Sequence, residues 1–139
     1  MDKVTLEPYI FFKGNCREAM EFYKTVFGGE LEMQTMGEVP ADVDMPRKEA
    51  TKDWIMHASL KGGAINLMAS DGQNASPKAA KIELSLGGTD EDQMRKMFDA
   101  LSEGGKVTKP LEKEFWGDIF GMLTDRYGVD WMMNIGTKK

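Results

Sequence analysis

Short apolar runs and two amphipathic stretches alternate along the chain, and their spacing tells them apart. Tyr9-Ile10-Phe11-Phe12, ended by Lys13-Gly14, predicts a first strand. Ala19, Phe22, Tyr23 and Val26 then recur at helical spacing. Asn15 precedes them as a capping residue type, and Gly28-Gly29 stops the run. Glu30 to Glu38 predicts a strand with Leu31, Met33 and Thr35 on one side. The polar stretch from Val39 to Asp53 holds Pro40 and Pro46 and predicts a loop. In a strand over Trp54 to Leu60, Trp54, Met56, Ala58 and Leu60 share one face, and Ile55, His57 and Ser59 the other. Lys61-Gly62-Gly63 predicts a hairpin turn into a strand over Ala64 to Met68. Ser70 to Lys78, a Gly/Asn/Ser/Pro stretch, predicts the joint between two halves.

The second half follows the same order. Ile82, Leu84 and Leu86 predict a strand ending at Gly87-Gly88. Asp90 is placed to cap a helix with Met94, Met97, Phe98 and Leu101 on its apolar face, and Gly104-Gly105 ends it. Lys106 to Glu112 predicts a strand. Ile119–Leu123 and Val129–Ile135 then flank the turn Thr124-Asp125-Arg126-Tyr127-Gly128 as a terminal hairpin. At an offset of 75 positions Asn15 meets Asp90, Ala19 meets Met94, Phe22 meets Met97, Tyr23 meets Phe98 and Val26 meets Leu101. Shared cap, core positions and stop predict a duplicated strand-helix-strand-strand-strand module, about 1–72 and 79–139.

Composition narrows the function classes. The chain has 139 residues and a formal net charge of −5, with a pI near 5.0. No concentrated basic surface exists for a phosphate backbone, so nucleic acid is not expected as a partner. No apolar run approaches the roughly 20 residues of a membrane span, so no membrane partner is expected either. The N-terminal MDKVTLEPYI has no apolar signal core, and the one cysteine excludes an internal disulfide, so a cytoplasmic location is expected. A single histidine and a single cysteine exclude zinc-finger spacing and two-histidine metal motifs. Twelve methionines suit an irregular core or an adaptable pocket.

Three stretches carry a family resemblance: YIFFKGNCREAMEFYKTVFGGEL (9–31), WIMHASLKGGAINLMASD (54–71) and FWGDIFGMLTDRYGVDWMMN (115–134). Together they resemble the vicinal-oxygen-chelate superfamily of glyoxalase I, extradiol dioxygenases and bleomycin-resistance proteins, and within it the PhnB-like branch. That branch is often labelled by similarity to a 3-demethylubiquinone methyltransferase. The resemblance implies an α+β fold of two tandem βαβββ modules forming a curved mixed sheet around an open ligand cleft, and a homodimer. Metal-using members take four ligands from the first and last strand of each module. Overlaying that pattern puts Pro8, Asn66, Lys81 and Met132 at those positions, and a slip of one or two residues brings in Tyr9, Glu83 or Asn134. Lysine has no acceptor, and no register gathers more than one carboxylate and one amide. No cofactor is therefore expected. A divalent metal is the less favoured alternative, with Asn66, Glu83 and Asn134 as its candidate ligands. Glycines at helix boundaries do not form a G-x-G-x-x-G element, so a methyl-donor site is not expected.

The polar residues that remain define the expected site. His57 reads first as a structural strand histidine and second as a pocket base or donor. Trp116 and Asp118 pair an indole with a carboxylate before the terminal hairpin. Asp71 reads as a turn former and Cys16 as a small buried residue. The expected ligand-binding set is His57, Asn66, Trp116, Asp118, Met132 and Asn134, with His57 and Asp118 as candidates for catalysis. The favoured function is small-molecule binding without a glyoxalase-type metal centre. The alternative is an enzyme of lyase, isomerase or dioxygenase type, either metal-dependent or using His57 and Asp118 for acid–base work.

Overall fold

The computed structural model describes residues 7–38, 52–72 and 82–137. The chain divides into two units, Met1–Pro77 and Lys78–Lys139. The first contains β1 (Tyr9–Phe12), α1 (Cys16–Phe27), β2 (Glu30–Thr35), β3 (Ile55–Lys61) and β4 (Leu67–Asp71). The second contains β5 (Leu84–Gly88), α2 (Glu91–Ser102), β6 (Lys106–Lys113), β7 (Ile119–Thr124) and β8 (Asp130–Ile135). The sheet orders are β1-β4-β3-β2 and β5-β8-β7-β6. In each, the first and last strands of the unit pair in parallel and the other pairs are antiparallel. Each unit is thus an α+β βαβββ module.

In the first unit, α1 covers β3, β2 and β4. Its buried stripe is Cys16, Ala19, Met20, Tyr23 and Phe27, whereas Phe22 and Val26, expected in the centre, are half-buried flanks. Apolar residues on both sides of this helix allow two centrings of a roughly 100° stripe, and the sheet beneath chooses one. Ile55, Ala58, Leu60, Leu67 and Ala69 complete this core.

The expected alternation in β3 is corrected by a bulge. Gln34 pairs with His57, but Thr35 pairs with Ile55, so Met56 is the extra residue. Ile55 therefore turns into the core with Ala58 and Leu60, and Met56 is 37% exposed instead of sharing their face. Past the bulge β2 ends, and the backbone enters a 3₁₀ turn at Met36–Glu38 rather than continuing as strand. The Met36 and Gly37 N–H groups donate to the Trp54 and Lys52 carbonyls.

The β3–β4 connection is wider than the expected tight turn, because Leu60 pairs with Leu67. The loop docks on the end of α1, where the Ala64 N–H donates to the Phe27 carbonyl at 3.1 Å. A Cβ on Gly63 would lie 2.5 Å from the carbonyl oxygens of Phe27 and Gly28, so only glycine permits this approach. Ser70 and Asp71, expected in the joint, belong to β4. The rest of that joint from residue 73, and residues 39–51 of the expected loop, lie outside the described residues.

In the second unit Met94, Phe98 and Leu101 of α2 pack with Leu123, Trp131, Met133 and Ile135. Ile82, expected in β5, precedes it and is 77% exposed. The edge strand β6 carries two register irregularities together with Lys106, Lys109, Pro110 and Lys113. These features discourage pairing by a stray strand.

The two helix starts are satisfied differently. Asp90 caps α2 as expected, its Oδ1 accepting from the Gln93 N–H at 3.1 Å. Asn15 makes no side-chain cap bond. The carboxylate of Asp71, at the end of β4, does that work: Oδ1 accepts from the N–H groups of Gly14 (2.7 Å) and Cys16 (3.0 Å), and Oδ2 from Ile55 (2.8 Å). Asp71 is 4% exposed. A negative charge at a helix N-terminus is electrostatically favourable, so a side chain distant in sequence both caps α1 and holds β3.

Candidate ligand-binding site

With a helix over one face, each sheet presents the other face for binding. In the first unit the register lines up Tyr9, Met68, Ser59 and Glu32 across all four strands. His57 and Gln34 form the neighbouring pair on that face. The Tyr9 hydroxyl lies 3.3 Å from His57 Nδ1, and Tyr9 stacks in tilted fashion against Phe11 at 5.0 Å and His57 at 5.9 Å. Glu32, Gln34, His57, Ser59, Lys61 and Met68 line a cavity of about 320 Å³. The Ser59 hydroxyl is buried there without a hydrogen-bond partner among the described residues. A buried hydroxyl normally finds a partner, so this one is poised for a ligand or water. With the Tyr9 hydroxyl donating to Nδ1, the imidazole carries its proton on Nε2. With the roles exchanged, Nε2 is a bare acceptor. In either tautomer one ring nitrogen is left for a ligand.

In the second unit two rows cross the open face. Ser85, Met132, Met122 and Lys109 form one, and Gly87, Asn134, Phe120 and Glu112 the other. The Asn134 amide joins two residues of the loop before β7. Its Oδ1 accepts from the Trp116 indole N–H at 3.4 Å, and its Nδ2 donates to Asp118 Oδ2 at 2.9 Å. Three of the expected site residues, Trp116, Asp118 and Asn134, therefore form one chain of contacts, with Met132 two residues along the same strand face. Asn66 lies exposed in the loop before β4, and Glu83 is half-buried before β5. Pro8 contributes its carbonyl to the Met68 N–H at 3.0 Å. Lys81 lies outside the described residues. Among the described residues, no three of His, Cys, Asp and Glu gather as a metal-binding group.

Sequence reasoning missed Tyr9 and Gln34 as companions of His57, and it placed Ser59 on the same strand face without assigning it to the site. Alternation in β3 pointed to Ser59. Tyr9 joins it only through the parallel β1–β4 register, which leaves no local signal. A larger cavity of about 530 Å³ lies at the start of α2, beside Asp90, Asp92, Lys113 and Gly136. None of the expected site residues lines it, and Asp90 there is committed to its cap.

Cys16 is fully buried. Burial, then the Asp71 carboxylate, pushes its thiol from an ordinary 9.0 up to about 12, with Arg17 pulling the other way. The thiol thus stays neutral and is no nucleophile at neutral pH. The raised value has a stability consequence. The unfolded chain releases this proton near pH 9 and the folded chain near 12, so the contribution is complete below about pH 9 and is lost as pH climbs towards 12. Between about pH 8 and 10.5 the urea midpoint of the wild type is expected to fall further than that of Cys16→Ala. Parallel curves would refute this linkage.

A helix-backed βαβββ module, occurring twice and with polar groups on its open sheet face, defines the class: an α+β protein of the glyoxalase fold. The chain belongs to the Glyoxalase/Bleomycin resistance protein/Dioxygenase superfamily, whose family model matches residues 5–133. It is similar to protein PA1353 from Pseudomonas aeruginosa, with 41% identity, a TM-score of 0.80 and 98% of this chain and 100% of that one covered. Protein YjdN of Escherichia coli K12 is 28% identical over 138 residues, covering 94% of each chain. A putative 3-demethylubiquinone-9 3-methyltransferase, PhnB protein, from Bacillus cereus shares the fold. It is 22% identical, with a TM-score of 0.70 and coverage of 96% of this chain and 100% of that one.

Proposed function

We propose that this chain is a PhnB-like member of its superfamily that binds a small organic molecule on the open face of its first unit, without a glyoxalase-type metal. The observation that carries this reading is the Ser59 hydroxyl, buried and unpartnered in a cavity that also holds His57. The other walls mix Met68 with polar groups, the usual make-up of a small-molecule site. The donor set supports the metal-free reading. The first and last strands of the units present Tyr9 and Met68, and Ser85 and Met132, on their open faces. A phenol, two thioethers and a hydroxyl are a poor match for a divalent ion that prefers imidazole or carboxylate. One observation favours an enzymatic second reading: the Tyr9 contact orients His57 as an acid–base group would be oriented.

The test is native mass spectrometry of the purified chain against a panel of small metabolites, with metal content measured in parallel without chelators. A ligand retained by the wild type and weakened about threefold to tenfold by Ser59→Ala, and also by His57→Ala, is the expected result. Retention unchanged in both variants would overturn it. So would one divalent ion per chain that is lost when Asn66 or Glu83 is replaced.

A further inference from the structure

We infer that the second unit carries a site for an alkylated organic ammonium ion, built from Trp116, Phe115, Phe120 and the Asp118 carboxylate. Three rings converge on the loop before β7. Phe115 and Trp116 meet edge to face at 4.9 Å, and Trp116 and Phe120 at 6.0 Å. Trp116 is 49% exposed and Phe115 is 96% exposed, so core packing does not account for them. Ring faces carry partial negative charge and attract cations of low charge density.

The carboxylate supplies the full charge. Asp118 is half-buried and accepts one side-chain hydrogen bond, from Asn134. Among the described residues it has no cationic partner: Lys109 is paired with Glu114, and Lys113 lines the cavity at the start of α2. Asn134 holds the indole edge and the carboxylate from one amide, which sets the separation between ring and charge before any ligand arrives. A hydrated metal ion is not the matching occupant. Among the described residues no three of His, Cys, Asp and Glu gather there, and the amide oxygen is already engaged by the indole. An alkylated ammonium needs only the ring faces and the charge. This site stands independently of the first-unit cavity.

The experiment follows indole N–H signals by NMR. The chain has three tryptophans, and Trp116→Leu identifies the Trp116 signal. Choline and its neutral isostere 3,3-dimethylbutan-1-ol are titrated separately. A saturable shift of the Trp116 signal with choline alone is expected. The dissociation constant should rise at least about tenfold in Asp118→Asn and stay close to wild type in Asp118→Glu, which keeps the charge. Unmoved Trp54 and Trp131 signals report that the variants are folded. Should Asp118→Asn not fold, Phe115→Ala removes an exposed ring and is expected to weaken binding. Equal response to both probes, no saturable shift, or choline affinity unchanged in the folded variant overturns the inference.

Discussion

Replacing Asp71 with alanine is expected to destabilise the first unit by about 3–5 kcal/mol, with loss of ligand retention alongside. Three N–H groups, those of Gly14, Cys16 and Ile55, donate to this one carboxylate at 2.7–3.0 Å. Alanine leaves all three without their acceptor, two of them in buried bonds. It also removes the negative charge at the start of α1. Ile55 flanks the bulge at Met56, two residues before His57 on the same strand, so loosening its anchor reaches the site. Asp71→Asn keeps one oxygen acceptor and should show an intermediate loss. Urea denaturation followed by circular dichroism measures both. A loss below about 1 kcal/mol for Asp71→Ala would show that the helix start finds other partners.

Asp125→Ala is expected to cost about 3 kcal/mol in the second unit. Asp125 is 3% exposed. Its Oδ1 accepts from the N–H groups of Tyr127 and Val129, and its Oδ2 from the Trp131 indole at 2.9 Å. One carboxylate therefore shapes the β7–β8 turn and fixes the rotamer of the largest core side chain in β8. Trp131→Phe removes the indole donor while keeping a ring. If the Asp125–Trp131 bond carries its share, Trp131→Phe costs clearly less in the Asp125→Ala background than in the wild type. Additive losses in the double-mutant cycle would assign the Asp125 effect to the turn alone.

These two aspartates also mark where sequence reading stopped. Asp71 and Asp125 both look like turn residues, and Asp125 is one. Asp71 became a helix cap because β4 runs parallel beside β1 and ends at the start of α1. Nothing near Asp71 in sequence announces a helix that begins 55 residues earlier. The site was legible in the same uneven way. Trp116, Asp118 and Asn134 lie within one short stretch, the terminal hairpin and the loop that leads into it, and their grouping could be read from it. Tyr9 on β1 and Gln34 on β2 come from other strands than His57 and Ser59, and join them only through the register.

What the sequence by itself determined is the doubled order of elements, two amphipathic helices and the strands around them, and the family. Those features rest on local periodicity, on glycine stops and on Asp90, which act within a few residues. The tertiary structure decided the centring of α1, the bulge at Met56, the docking of Gly63 on the helix end and the set of side chains sharing His57's face. Each depends on contacts between elements distant in sequence; for the bulge and the His57 face these are strand pairings, where a shift of one residue exchanges the two faces of a sheet and no local preference chooses between them.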